Sequence, residues 1–283
     1  MPLVSTGDLV EEAFAAGRAV GAFNVLHLET AEGLAMGAEA AGLPLILQIS
    51  ENCVAFHDGL RPIAEAVMAI ARTSSARLSV HLDHAESETL VAEALDLGFS
   101  SVMFDASRLD YETNVARTAA MARLAHDNGA FIEAELGEVG GKDGVHAPGV
   151  RTDPAEARAF VEATGVDALA VAVGSSHAMT TRSASIDLDL VTRLRDSVRL
   201  PLVLHGSSGV PDDELQRAVA HGITKVNVST HLNAAFTAAV REHLDSHPAA
   251  VDSRRYLGVG REALAAEVRR LLHVLARTED IHA

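Results

Sequence analysis

A chain of 283 residues, 48% of them hydrophobic, is too long for a minimal domain. It suits one α/β barrel, a fold that often runs to about 250 residues as a single unit. A formal charge of −16 disfavours nucleic acid and anionic membrane as partners, and obliges an anionic ligand to find a metal, an arginine or a set of backbone N–H groups. Cys53 is the only cysteine, which excludes an intrachain disulfide, and no apolar run reaches about 18 residues. With no basic-then-apolar leader pattern at the N-terminus, the sequence reads as a cytoplasmic protein.

In chain order, eight aliphatic runs predict strands: AVGAFNV (19–25), LPLILQIS (43–50), LSVHLDH (78–84), SVMFDAS (101–107), FIEAELGEV (131–139), ALAVAVG (168–174), LPLVLHG (200–206) and ITKVNVS (223–229). Amphipathic Ala/Leu/Glu-rich stretches separate them, such as ETAEGLAMGAEAAG and ESETLVAEALDLG. Gly42, Gly98, Gly129, Gly165 and Gly222 stand where a left-handed residue would end each helix before the next strand. Strands alternating with helices predict a parallel sheet, and eight such units predict closure into a (β/α)8 TIM barrel, with a doubly wound open sheet as the alternative. No linker or low-complexity tract divides the chain, so residues 1–283 read as one domain. Residues 231–283 predict extra C-terminal helices, longer than one closing helix needs, which could cover the mouth or make a subunit contact.

Strand side chains alternate between faces. The set expected to point into the barrel turns polar toward the strand C-termini: Asn24, Gln48, Ser50, His81, Asp83, Asp105, Glu133, Glu135, His205, Asn227 and Ser229. Burying such groups unpaired costs about 1–3 kcal/mol each, so packing alone is a poor explanation. They mark a site at the C-terminal mouth, where barrel chemistry sits, or else a polar network that fixes barrel register.

His84, His177 and His205 end or directly follow three of these runs. Three imidazoles and an open position describe a catalytic zinc, although any one of them alone would read as an ordinary core or surface residue. Glu135 faces the same mouth as a fourth or alternative ligand, and His81 reads as a neighbour that orients a ligand. Gly206, Ser207 and Ser208 of GSSG, with Asn227, Val228, Ser229 and Thr230 at the end of the last strand, suit an anion-binding nest for phosphate. Arg182, in the loop after His177, is a weaker phosphate candidate.

HLDHAESE, EAELGEVGG, AVAVGSSHA, LVLHGSSG and KVNVST follow in the order and spacing of the class II (zinc-dependent) ketose-bisphosphate aldolases. VGAFNV and DSRRYLGVGREAL also resemble that family, so the resemblance covers nearly the whole chain. It implies zinc (Zn2+) on His84, His177 and His205, with Glu135 near an alternate metal position. It implies that Asp83 handles the proton of the substrate C4 hydroxyl. Asp143, in EVGGKDGVHAPG, falls where the family places a Glu that exchanges the proton beside the ketone, one methylene shorter. The GSSG region is implied to hold the phosphate of dihydroxyacetone phosphate, and Arg254 the far phosphate. Asn24 and Ser50, at the strand ends, read as substrate or metal-neighbour contacts, or else as polar pairs that fix register. Ala178 stands where the family has Gly, at backbone that also binds a monovalent cation (Na+ or K+), and so puts that cation in question.

The implied reaction is reversible cleavage of a ketose (bis)phosphate, fructose 1,6-bisphosphate foremost, to dihydroxyacetone phosphate and an aldehyde such as glyceraldehyde 3-phosphate. A tagatose-bisphosphate or other sugar-phosphate aldolase, or a non-catalytic barrel subunit, are the alternatives. A metal-dependent hydrolase would call for an HxH pair on the first strand, which VGAFNV lacks. The expected assembly is a homodimer or homotetramer.

Overall fold

A computed structural model describes residues 3–136, 151–177 and 179–277. Eight parallel strands close in sequence order into a barrel: β1 (Val20–Asn24), β2 (Leu45–Ser50), β3 (Leu78–Ala85), β4 (Ser101–Phe104), β5 (Phe131–Glu135), β6 (Ala168–Ala170), β7 (Leu202–Leu204) and β8 (Ile223–Val228). The pairing of β1 with β8, with Val20 opposite Lys225 and Ala22 opposite Asn227, completes the ring and excludes the open sheet. Several strands stop earlier than their apolar runs. β6 ends at Ala170 and β7 at Leu204, and the residues beyond become the loops of the mouth.

Two apolar layers hold the barrel. Inside its N-terminal half, Val20, Ala22, Ile46, Met103, Phe131, Ala168, Ala170 and Val203 pack against Leu9 and Val10 of α1 (Thr6–Ala15). This helix, which the strand pattern does not anticipate, plugs the end of the barrel opposite the mouth. Outside, Phe23, Leu47, Leu82, Ile132, Leu169 and Val226 face the surrounding helices. Those are α2 (Leu28–Ala41), α3 (Glu51–Phe56), α4 (Arg61–Thr73), α5 (Glu88–Asp96), α6 (Tyr111–Asp127), α7 (Pro154–Thr164), α8 (Leu188–Val198) and α9 (Asp212–His221). Side-chain caps start several of them: Ser50, Ser87, Asp110, Asp153 and Asp187 each accept a first-turn N–H, at about 1 kcal/mol per cap.

The tail forms α10 (Thr230–Ser246) and α11 (Ser253–Ala276). α11 is not surplus: it packs along α2, α9 and β1 and closes the helical ring. Glycine makes this possible. A Cβ at Gly37 would lie 2.5 Å from Val268 Cγ1, and one at Gly33 2.8 Å from Leu264 Cδ2, so the two backbones approach as closely as their chains allow. Among the described residues, no helix is long and apolar enough to cross a membrane.

Candidate active site at the barrel mouth

The mouth holds a pocket lined by Asn24, Gln48, Ser50, Asn52, Asp83, His84, His177, Gly206, Ser207, Ser208, Asn227, Ser229 and Thr230. Strict alternation would turn one of the neighbours Asp83 and His84 away from it. Instead, the β3–β4 register shifts between Leu82 and Ala85, and His84 takes φ 49°. Left-handed backbone costs a non-glycine residue about 1–3 kcal/mol and is retained where the surroundings enforce it. Here it brings both side chains to the same pocket.

The three imidazoles converge. Nitrogens of His84, His177 and His205 lie within 4.8 Å of one another, and His84 Nε2 faces His205 Nδ1 at 2.8 Å. The far nitrogens of two of them are held. Asp105 Oδ2 accepts from His84 Nδ1 at 2.7 Å, and Glu133 Oε1 from His205 Nε2 at 2.8 Å. Asp105 is fixed in turn by the N–H and O–H of Ser107. Carboxylates placed behind imidazoles in this way fix the ring orientation and leave the other nitrogen for a metal.

Charge is divided between these rings. Burial opposes the charged form of His84, but Asp83, Asp105 and Glu135 outweigh it and raise its pKa to about 9. Burial, then His84 and Lys225, hold His205 well below the usual imidazole range, which preserves a lone pair on it. The cluster thus gathers three imidazoles at one point, a donor set that fits a borderline-soft divalent ion, which would displace the proton from His84 on binding. Glu135 lies to one side, with Oε2 3.9 Å from His205 Nδ1, and forms a second possible ligand group with His84 and Asp105.

Asp83 is 3% exposed, and both of its oxygens accept amide N–H groups: Asn24 Nδ2 at 3.0 Å and Asn227 Nδ2 at 3.3 Å. Beneath it, His81 is fully buried, contacts Ser101 Oγ at 2.7 Å and is kept neutral chiefly by burial. It does not join the metal-binding groups.

Opposite β3, Gly206 takes φ 65°, and a Cβ there would lie 2.5 Å from the carbonyl carbon of Ser176. Only glycine passes this point. Ser208 Oγ accepts the N–H groups of Ser229 and His231, tying the 207–209 turn to the start of α10. The N-terminus of that 17-residue helix opens on the pocket at Ser229 and Thr230, as an anion site requires.

Other residues fall elsewhere. Val228 is 2% exposed and packs in the outer apolar layer, so only its backbone is at hand. Arg254 does not line the pocket: its guanidinium binds Asp252, and its side chain is 89% exposed. Arg182 donates to Val210 O and Asp212 and acts as a loop strut. Asp143 and Ala178 lie outside the described residues. Asn52, at the pocket edge, and Lys225, fully buried on β8, were not singled out from the sequence. Lys225 stands two residues before Asn227 on the same face, so alternation carried its signal.

The sequence pattern described as "Fructose-bisphosphate aldolase class-II" matches residues 4–280. The chain belongs to that family. It is 38% identical over 272 residues to the fructose-bisphosphate aldolase of Geobacillus stearothermophilus, covering 95% of both chains. It is 39% identical, with the same coverage, to the probable fructose-bisphosphate aldolase of Bacillus subtilis. Among solved structures, the YdjI aldolase of Escherichia coli K12 superposes with a TM-score of 0.84 at 30% identity, over 98% of this chain and 100% of that one. A putative fructose-1,6-bisphosphate aldolase of Coccidioides immitis gives 0.86 at 27% identity, over 96% of each. Aldol cleavage is the reaction class that family membership brings to the mouth described above.

Proposed function

We propose that the chain is a zinc-dependent aldolase that cleaves a ketose phosphate reversibly, with fructose 1,6-bisphosphate as its first candidate substrate. Dihydroxyacetone phosphate and glyceraldehyde 3-phosphate would be the products. The observation that carries this reading is the convergence of His84, His177 and His205 beside Asp83, at a mouth that also opens on a helix N-terminus. The three imidazoles would hold the ion, with Glu135 as an alternative ligand. When bound, such an ion supplies Lewis-acid polarisation of the substrate ketone.

The chain's own groups divide the remaining work. Gly206, Ser207, Ser208, Ser229 and Thr230 would receive the phosphate of the dihydroxyacetone half through backbone N–H groups and hydroxyls. Asn24, Ser50 and Asn227 would orient the substrate hydroxyls beside the carboxylate. In cleavage, the C3–C4 bond breaks, its electron pair stays on C3, and the C4 hydroxyl proton passes to Asp83. C3 then takes up a proton, for which Asp143 is the candidate donor. In condensation the same transfers run backwards. Arg254 could serve a far phosphate by leaving Asp252. A monovalent cation at the backbone of Ala178 is the further candidate cofactor, and Ala in place of the family's Gly argues against it. A cytoplasmic homodimer or homotetramer, one domain per chain, completes the proposal.

Assay of retro-aldol cleavage decides it. Activity should vanish on chelation, return with zinc, and resist borohydride in the presence of substrate. Activity that survives full chelation, or borohydride trapping on a lysine, rejects the metal mechanism. Tagatose bisphosphate and unphosphorylated aldehydes with dihydroxyacetone phosphate complete the substrate panel.

A further inference from the structure

Lys225 is fully buried inside the barrel, and its ammonium touches two groups with different tasks. Nζ lies 2.8 Å from Asn227 Oδ1 and 2.8 Å from Glu133 Oε2. From this juxtaposition we infer that Lys225 is a positioning residue that ties the orientation of Asp83 to the frame of His205.

An ammonium has donors and no acceptor, so the Asn227 atom it touches must be the oxygen. That choice turns Asn227 Nδ2 toward Asp83 Oδ1, at 3.3 Å. Were the amide reversed, its carbonyl oxygen would face a carboxylate. The other carboxylate oxygen is held independently: Gln48 Nε2 donates to Asn24 Oδ1, and Asn24 Nδ2 donates to Asp83 Oδ2. Asp83 is therefore gripped on both sides, and Lys225 governs one side. Through its second contact, Lys225 balances Glu133, whose other oxygen holds His205 Nε2 at 2.8 Å. One buried charge, itself held in place by the carboxylate behind His205, thus sets the angle of the proton-carrying group. The inference rests on the aldolase reading for the role of Asp83, but its geometry can be measured without turnover.

Two variants test it. Lys225→Met removes the donor. Lys225→Met/Glu133→Gln also removes the carboxylate charge left without its partner, and serves for the amide-exchange measurement alone where the single variant does not fold. In the metal-free native protein, the Asn227 side-chain amide protons should exchange slowly with water, and in the variant at least about tenfold faster, because the group that anchors the amide is gone. In the zinc-loaded variant, aldol cleavage should fall about 100-fold, the scale of a misplaced catalytic group. Exchange of the carbon-bound proton of dihydroxyacetone phosphate with solvent, which does not need Asp83, should stay within about threefold of native. Cleavage and proton exchange falling together, unchanged cleavage, or unchanged amide exchange would each overturn the inference. A native protein that catalyses neither reaction rejects the aldolase reading instead, and the amide exchange still decides the coupling.

Discussion

The imidazole of His84 is held from behind by Asp105, with Nδ1 and Oδ2 2.7 Å apart, while its other nitrogen faces His205. The backbone that allows this is left-handed at His84, so the position of this ring is fixed by both strain and hydrogen bonding.

Replacing Asp105 with Ala should leave the fold intact and weaken zinc binding about 10–100-fold, the usual effect of losing the carboxylate behind a ligand histidine. Competition against a chromophoric chelator measures it. An unchanged affinity means that Asp105 does not orient the ligand.

Asp83 should separate proton transfer from metal binding. For Asp83→Ala, zinc content should stay stoichiometric while kcat for cleavage falls about 10²–10⁴-fold, the range for loss of a general base. Metal analysis and steady-state kinetics on one preparation are needed. Loss of zinc in parallel with kcat would assign Asp83 to the metal frame.

The close approach of α2 and α11 predicts a steric effect far from the site. Gly37→Ala puts a Cβ 2.5 Å from Val268 Cγ1 and should destabilise by about 1–3 kcal/mol. Pairing it with Val268→Ala should recover part of the loss. Thermal unfolding of the two variants is the measurement, and an unshifted Tm for the single variant contradicts the packing described.

Acid should release a strut at the start of α10. Burial disfavours the Glu267 carboxylate, but hydrogen bonds from His231 and Arg270 prevail and lower its pKa from 4.5 to about 2. A pKa depressed on folding gives stability that is present above pH 4.5 and lost as pH falls from there toward 2. Glu267→Gln should flatten that part of the stability profile in urea titrations between these pH values. An equally steep acid limb in the variant would falsify the assignment.

Alternation of strand and helix signals, and polar residues clustering at strand ends, established the barrel and located its mouth. These signals are local, with periods of two and 3.6 residues, and need no knowledge of the fold. The candidate ligands were legible because three histidines occupied equivalent positions at the ends of different runs. Their carboxylate partners were harder to read. Asp105 and Glu133 could be seen to face inward, but which imidazole each would hold depends on barrel closure.

Only the tertiary structure decided four matters. It turned His84 toward Asp83 through a left-handed residue that strand periodicity cannot express. It placed α1 as the plug of the barrel and α11 as its closing helix, because packing faces exist only once elements are assembled. It set Arg254 on Asp252 and outside the pocket, since a long exposed side chain takes the nearest opposite charge. And it buried Lys225 between Asn227 on its own strand and Glu133 on β5, a position stable only because these contacts replace the water that the ammonium loses.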